Sequence, residues 1–155
     1  MRRLQRIALS MLVAAVIAAC GSAAPASTGP SASPTPTPAP SVDIPPGATI
    51  VHLFVPDRRV SEFQIDGRTV ASITVKSGVP YAFSVANPGR YDHNFFIGVA
   101  EDLAAREYAR LDGVQLWSAG ERVVVHTFTS GDRLQFACTL AGHYGTMHGD
   151  FIVEP

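Results

Sequence analysis

From residue 49 onward, apolar and polar side chains alternate in short runs, the period of two that a half-buried strand requires. The alternation predicts strands over 49–55, 70–75, 81–86, 95–99, 122–129, 133–138 and 150–153. Turn formers stand between them: Pro56-Asp57, Asp66-Gly67, Ser77-Gly78, Asn87-Pro88-Gly89 and Ser130-Gly131-Asp132. Each supplies either a fixed φ or a residue that tolerates positive φ, so the chain can reverse there. Several short strands at this spacing predict an all-β sandwich or barrel. One segment departs from the pattern. Residues 101–110 open on Glu101 and Asp102 and carry Arg106 and Arg110 late, charges that suit the two ends of a helix dipole. They predict one short helix inserted between strands.

The first 46 residues follow neither period. Arg2, Arg3 and Arg6 precede an apolar run from Ile7 to Ala19 and then Cys20-Gly21. That run is shorter than the roughly 20 residues a spanning helix needs, and its basic head and small tail describe an export signal. Ile17-Ala18-Ala19-Cys20 resembles a bacterial lipobox. The expectation is cleavage after residue 19 and a lipoprotein whose Cys20 carries the lipid, palmitate included. The protein would then sit outside the cytoplasm, anchored on the outer face of the cell membrane or the periplasmic side of a membrane. Residues 21–46 hold eight of the twelve prolines among Ser, Thr and Ala. Such a segment buries no core and tends to polyproline II, so 20–46 reads as a disordered tether reaching roughly 80 Å. Residues 47–155 remain as one small domain.

Charge and cysteine count change this picture in two ways. The whole chain has 12 basic and 13 acidic residues, and losing residues 1–19 with their three arginines leaves a formal charge of −4. Nucleic-acid binding needs a basic footprint, so that class is excluded. Of the two cysteines, a lipid-modified Cys20 cannot form a disulfide, which leaves Cys138 as a free thiol in an oxidising compartment. Such a thiol is open to oxidation unless something engages it. Metal ligation would engage it.

Cys138 opens the loop Cys138-Thr139-Leu140-Ala141-Gly142-His143-Tyr144-Gly145-Thr146-Met147, a C-x4-H-x3-M pattern. A helix would scatter these three side chains around its axis, whereas a loop rich in glycine can converge them. A soft thiolate, imidazoles and a weak thioether are the donors of trigonal His2Cys copper with a long axial Met, while zinc seldom uses Met. The second imidazole comes from Asp92-His93-Asn94-Phe95-Phe96-Ile97, 45 residues upstream at the head of an apolar run. Leu134, Phe136 and Cys138 share one strand face, which carries the sulfur towards the interior.

With these residues in view, 47–155 resembles the cupredoxins, the blue copper family of plastocyanin and azurin. The loop spacing is similar to the azurin-type ligand loop, and His93-Asn94-Phe95 and the stretch from Phe136 to Phe151 anchor the likeness. The resemblance implies a Greek-key β-sandwich and one type 1 copper ion. It implies His93, Cys138 and His143 as equatorial ligands, Met147 as the axial one, and Asn94 as a residue behind them tying the ligand loops together. One departure stands out: azurins carry Gly before the first His, whose carbonyl can serve as a distant fifth ligand, and this chain has Asp92. The implied function is electron transfer between redox protein partners, membrane-associated in view of the anchor. Electrons would pass through the edge of His143, within an apolar patch that Leu140, Ala141, Gly142 and Tyr144 can supply.

An enzyme reading fares worse. Multicopper enzymes of this family need further His ligands, commonly His-x-His pairs, and a binuclear centre needs a second loop Cys; the sequence has neither. The alternative is copper sequestration or handover, against which stands a single methionine, Met147, after processing. His52 and His126 lie within apolar strands and read as half-buried, hydrogen-bonded residues. His148 reads as a surface residue, and Glu101, Asp102 and Glu107 as a solvated helix face.

Overall fold

The computed structural model describes residues 42–56 and 62–155. Cys20, the export signal and most of the tether lie outside the described residues. The strands are β1 (Thr49–Phe54), β2 (Gln64–Ile65), β3 (Arg68–Thr69), β4 (Ser72–Lys76), β5 (Pro80–Asn87), β6 (His93–Gly98), β7 (Asp112–Trp117), β8 (Gly120–Thr127), β9 (Gln135–Ala137) and β10 (His148–Glu154). Between β6 and β7 the chain inserts one helix, α1 (Ala100–Ala105), and a 3-10 turn at Tyr108–Arg110. The strands form two five-stranded sheets, ordered β3-β2-β1-β5-β8 and β4-β10-β9-β6-β7. β1 runs parallel to β5 and β10 parallel to β4; the remaining pairs are antiparallel. This is the predicted all-β sandwich with one short helix.

Alternation explains how the sheets meet. Leu53 of β1, Phe83 and Val85 of β5, Phe95 and Ile97 of β6, Phe136 of β9 and Phe151 of β10 all turn inward into one buried core. Several of the aromatic rings meet edge to face, as Phe63 does on Phe95 at 5.4 Å and Phe83 on Phe128 at 6.2 Å. Ring quadrupoles favour that arrangement, and such pairs add about 0.5–1.5 kcal/mol each beyond area burial.

β6 is buried along its whole length, and the insert is the reason. On the outer side of the sheet, Phe96 and Ala137 pack against Leu103 of α1 and Leu111 beyond the 3-10 turn. The insert therefore covers the two strands that lead to His93 and Cys138. The helix is shorter than its charge pattern predicted, ending at Ala105 because Arg106 takes a left-handed conformation (φ 61°) and caps it by donating to the carbonyls of Asp102 and Leu103. Leu103 is its one buried residue, so a further helical turn would have no apolar face to bury. The Arg110–Asp102 pair at 3.4 Å is exposed on its arginine side and contributes little.

Two features lie outside the predicted set, the β2–β3 hairpin and β7. β7 is hidden by an irregularity: His93 faces Trp117 while Phe95 faces Val114, so β7 has one residue more than β6 in this interval. The bulge leaves Gln115 and Leu116 both exposed in succession before buried Trp117, which breaks the alternation a strand search relies on.

Candidate metal centre

Three strand ends build the site. β6 begins at His93, β9 runs directly into Cys138, and Met147 immediately precedes β10. The amide of Cys138 donates to the carbonyl of Met147 at 2.9 Å, carrying the β9–β10 ladder one step into the loop. Between them the loop folds on itself. His143 N–H donates to the Leu140 carbonyl at 3.0 Å, and the amides of Thr146 and Met147 both donate to the His143 carbonyl, at 3.0 and 2.8 Å. Gly142, at φ +81°, takes the left-handed position that a side chain would strain. These consecutive turns are the physical content of the x4 and x3 spacings.

The result is a compact donor cluster. Cys138 Sγ lies 3.5 Å from Nδ1 of His143 and 3.9 Å from Nδ1 of His93. The three ligand atoms all fall within 4.8 Å of one another, and no other such group of His, Cys, Asp or Glu occurs among the described residues. Cys138 and Met147 are fully buried in the same core, His93 is 3% exposed, and His143 is part-buried. Metal–nitrogen and metal–sulfur bonds of about 2.0 and 2.3 Å around a shared ion at trigonal angles place N and S about 3.7 Å apart. The observed separations match that figure, so the cluster of His93, Cys138, His143 and Met147 fits a type 1 copper site.

Electrostatics prepares the donors. Burial holds His93 down to about 4, His143 adds to the effect, and Asp92 opposes it. Burial also lowers His143. Both rings are thereby kept neutral, the state a metal ligand requires. Burial pushes the Cys138 thiol up, while the backbone N–H groups of Asn94 and Leu140 donate towards the sulfur and pull the other way. A cation bound at the sulfur would settle that opposition in favour of the thiolate.

Asn94 joins the two ligand segments. Its Oδ1 accepts the Thr139 amide proton at 2.7 Å, and its Nδ2 donates to Thr139 Oγ1 at 3.0 Å, both in buried surroundings. His126 is part-buried, with Nδ1 2.7 Å from Asp112 Oδ2, as its place in a strand suggested. His148 is an exposed residue stacked on Tyr144, its Nδ1 2.7 Å from that residue's carbonyl oxygen. His52 corrects the expectation. It is exposed, because the outer face of β1 is uncovered and leaves Ile50 and Phe54 exposed beside it. Sequence reasoning missed Thr139, the Leu140 amide, Trp117 opposite His93, and Tyr108, whose hydroxyl lies 3.3 Å from Thr139 Oγ1.

No protein-family model matches the chain. Solved structures do. Auracyanin from Roseiflexus castenholzii superposes with a TM-score of 0.56 at 19% identity, covering 70% of this chain and 99% of that one. Rusticyanin from Thiobacillus ferrooxidans gives 0.54 at 17%, covering 69% and 79%. An azurin from Methylomonas sp. strain J gives 0.51 at 16%, covering 69% and 98%. The fold is a cupredoxin fold. Among curated sequences, the chain is similar to the copper-resistant cuproprotein CopI of Vibrio cholerae, 31% identical over 111 residues, and to that of Rubrivivax gelatinosus, 30% over 84 residues. Those matches span 63% and 48% of this chain and only 62% and 51% of the two relatives.

Proposed function

We propose that the domain at 47–155 binds one copper ion through His93, Cys138, His143 and Met147 and passes single electrons between redox partners. One observation carries this reading: a buried thiol and two imidazole Nδ1 atoms converge at metal-sharing distances beside a buried methionine, on a cupredoxin fold. Copper held there would supply one-electron chemistry by moving between Cu(I) and Cu(II).

The chain's own part is to keep the donors where they are in both states. His93, Cys138 and Met147 sit at ends of paired strands, and the Asn94–Thr139 bonds cross-link the two segments. Donors fixed in this way reorganise little, which keeps electron exchange fast. Two amide N–H groups steady the charge on the sulfur, and full burial of Cys138 and Met147 keeps water away. His143 is the part-buried member, flanked by exposed Ala141 and Gly142 and by part-buried Leu140 and Tyr144. Its edge is the proposed point of electron entry and exit.

A second reading has its own support. Two relatives are called copper-resistant cuproproteins, which favours copper tolerance, by sequestration or handover, as the service the site performs. The two separate kinetically. Stopped-flow exchange between the copper-loaded domain and purified membrane oxidoreductases should outpace copper transfer to an apo-acceptor; the reverse order would leave the resistance reading standing and remove the electron carrier.

Export, lipid attachment at Cys20 and membrane-associated redox partners belong to the same proposal, and their support is the sequence of residues 1–46. Palmitate labelling of the full chain should be lost in Cys20→Ser. Label retained in that variant would place the anchor elsewhere.

A further inference from the structure

The helical insert between β6 and β7 touches the ligand loop at two places. Tyr144, next to His143, shares its one hydroxyl proton between the Ala100 carbonyl at 3.3 Å and Gln135 Oε1 at 3.0 Å. Tyr108, in the 3-10 turn, places its hydroxyl 3.3 Å from Thr139 Oγ1, and Thr139 follows Cys138. The Tyr108 ring rests on Phe96 at 5.1 Å between centroids, on the outer side of the strand that begins with His93.

Thr139 Oγ1 is therefore the meeting point of two contacts. It accepts from Asn94 Nδ2 at 3.0 Å and shares a hydrogen bond with the Tyr108 hydroxyl. A hydroxyl can donate one bond while accepting others, so both contacts can be satisfied together. Hydrogen bonds in such a chain polarise and hold one another. Asn94 in turn receives the Thr139 amide on Oδ1 and directs its own backbone N–H at the Cys138 sulfur. A path of hydrogen bonds thus runs from a part-exposed phenol on the insert to the sulfur.

We infer that Tyr108 is a positioning residue for the metal centre, acting through Thr139 and Asn94 to hold the N–H that points at the Cys138 sulfur. The inference rests on the copper reading above. A firm hydrogen bond to the sulfur draws electron density from it and favours Cu(I), so it raises the reduction potential. Loosening it lowers the potential.

Tyr108→Phe keeps the ring on Phe96 and deletes only the hydroxyl. At a fixed applied potential, the Cu(I) to Cu(II) ratio of this variant should fall several-fold relative to wild type, with a shift of the blue charge-transfer band. In the copper-free protein, hydrogen exchange of the Thr139 amide should speed up several-fold. Thr139→Val removes the relay hydroxyl, so adding Tyr108→Phe in that background should change the ratio no further. A wild-type protein that turns blue beside a Tyr108→Phe variant with unchanged ratio, band and exchange overturns the inference and leaves the copper reading intact. So does a variant with a lowered melting temperature and an unmoved potential, since that is what packing alone would give. A wild-type protein that never turns blue overturns the copper reading itself, and the inference with it.

Discussion

Replacing Cys138 with Ser is expected to abolish the intense blue absorption of the copper-loaded domain while leaving its fold standing. The band arises from charge transfer out of a thiolate sulfur, and a serine hydroxyl is a hard donor that stays protonated. Loss of an equatorial ligand should also weaken copper binding by more than the roughly 10- to 100-fold that losing an outer-shell partner costs. The fold should tolerate the change because the cavity is filled by an oxygen of similar size. The amides of Asn94 and Leu140 that point at the sulfur can serve that oxygen instead. A buried hydroxyl with partners costs little, on the order of 1 kcal/mol, whereas one without them would cost about 1–3 kcal/mol. Optical and EPR spectra after Cu(II) addition, with a thermal melt of the copper-free variant, check both halves. A surviving blue band would remove Cys138 from the site.

The strands that the sequence made legible are those whose alternation is undisturbed. In β4 and β10, inward Ile73, Val75 and Phe151 alternate with exposed neighbours, and a period of two is visible without any structure. β6 was legible for a different reason, as a continuous apolar run, because the helical insert covers its outer side as the core covers its inner side. β7 was not legible, since the bulge opposite His93–Phe95 leaves Gln115 and Leu116 exposed in succession before buried Trp117. The helix was foreseen from its charges but drawn too long. Charge placement marks where a helix is favoured, while its end is set by how much apolar surface it can bury, here Leu103 alone.

The centre divides along the same line. Cys138, His143 and Met147 could be read together because local turns set their spacing: the bonds from the His143 amide to the Leu140 carbonyl, and from the Thr146 and Met147 amides back to the His143 carbonyl. His93 was legible by donor type and by its place before an apolar run. Thr139 and Tyr108 were not, because their roles depend on contacts across 45 and 31 residues of chain and on how the insert docks. Nothing local in Glu107-Tyr108-Ala109 marks the tyrosine as different from any other part-exposed aromatic.

Burial of His93 also has a consequence for acid stability. In the copper-free protein its ring is held down to about 4, first by burial and then by His143, against the opposing pull of Asp92. In the unfolded chain a histidine titrates near 6.5. Between those values the unfolded chain takes up a proton that the folded one refuses, so stability falls as pH drops through the window and levels off below about 4. At 1.36 kcal/mol per pH unit, the loss between pH 7 and pH 4 from this one ring is about 3 kcal/mol. Above 6.5 the ring is neutral in both states and contributes no slope. Carboxylates add their own acid dependence, so the informative quantity is a difference. Denaturant unfolding of copper-free wild type and of His93→Gln, each at pH 7 and pH 4, should show the wild type losing about 3 kcal/mol more than the variant. Equal losses in the two proteins would mean that the His93 ring reaches solvent and protonates without unfolding. Copper should oppose the effect in the wild type, because the ion and the proton compete for the same imidazole nitrogen and binding to the native state alone stabilises it.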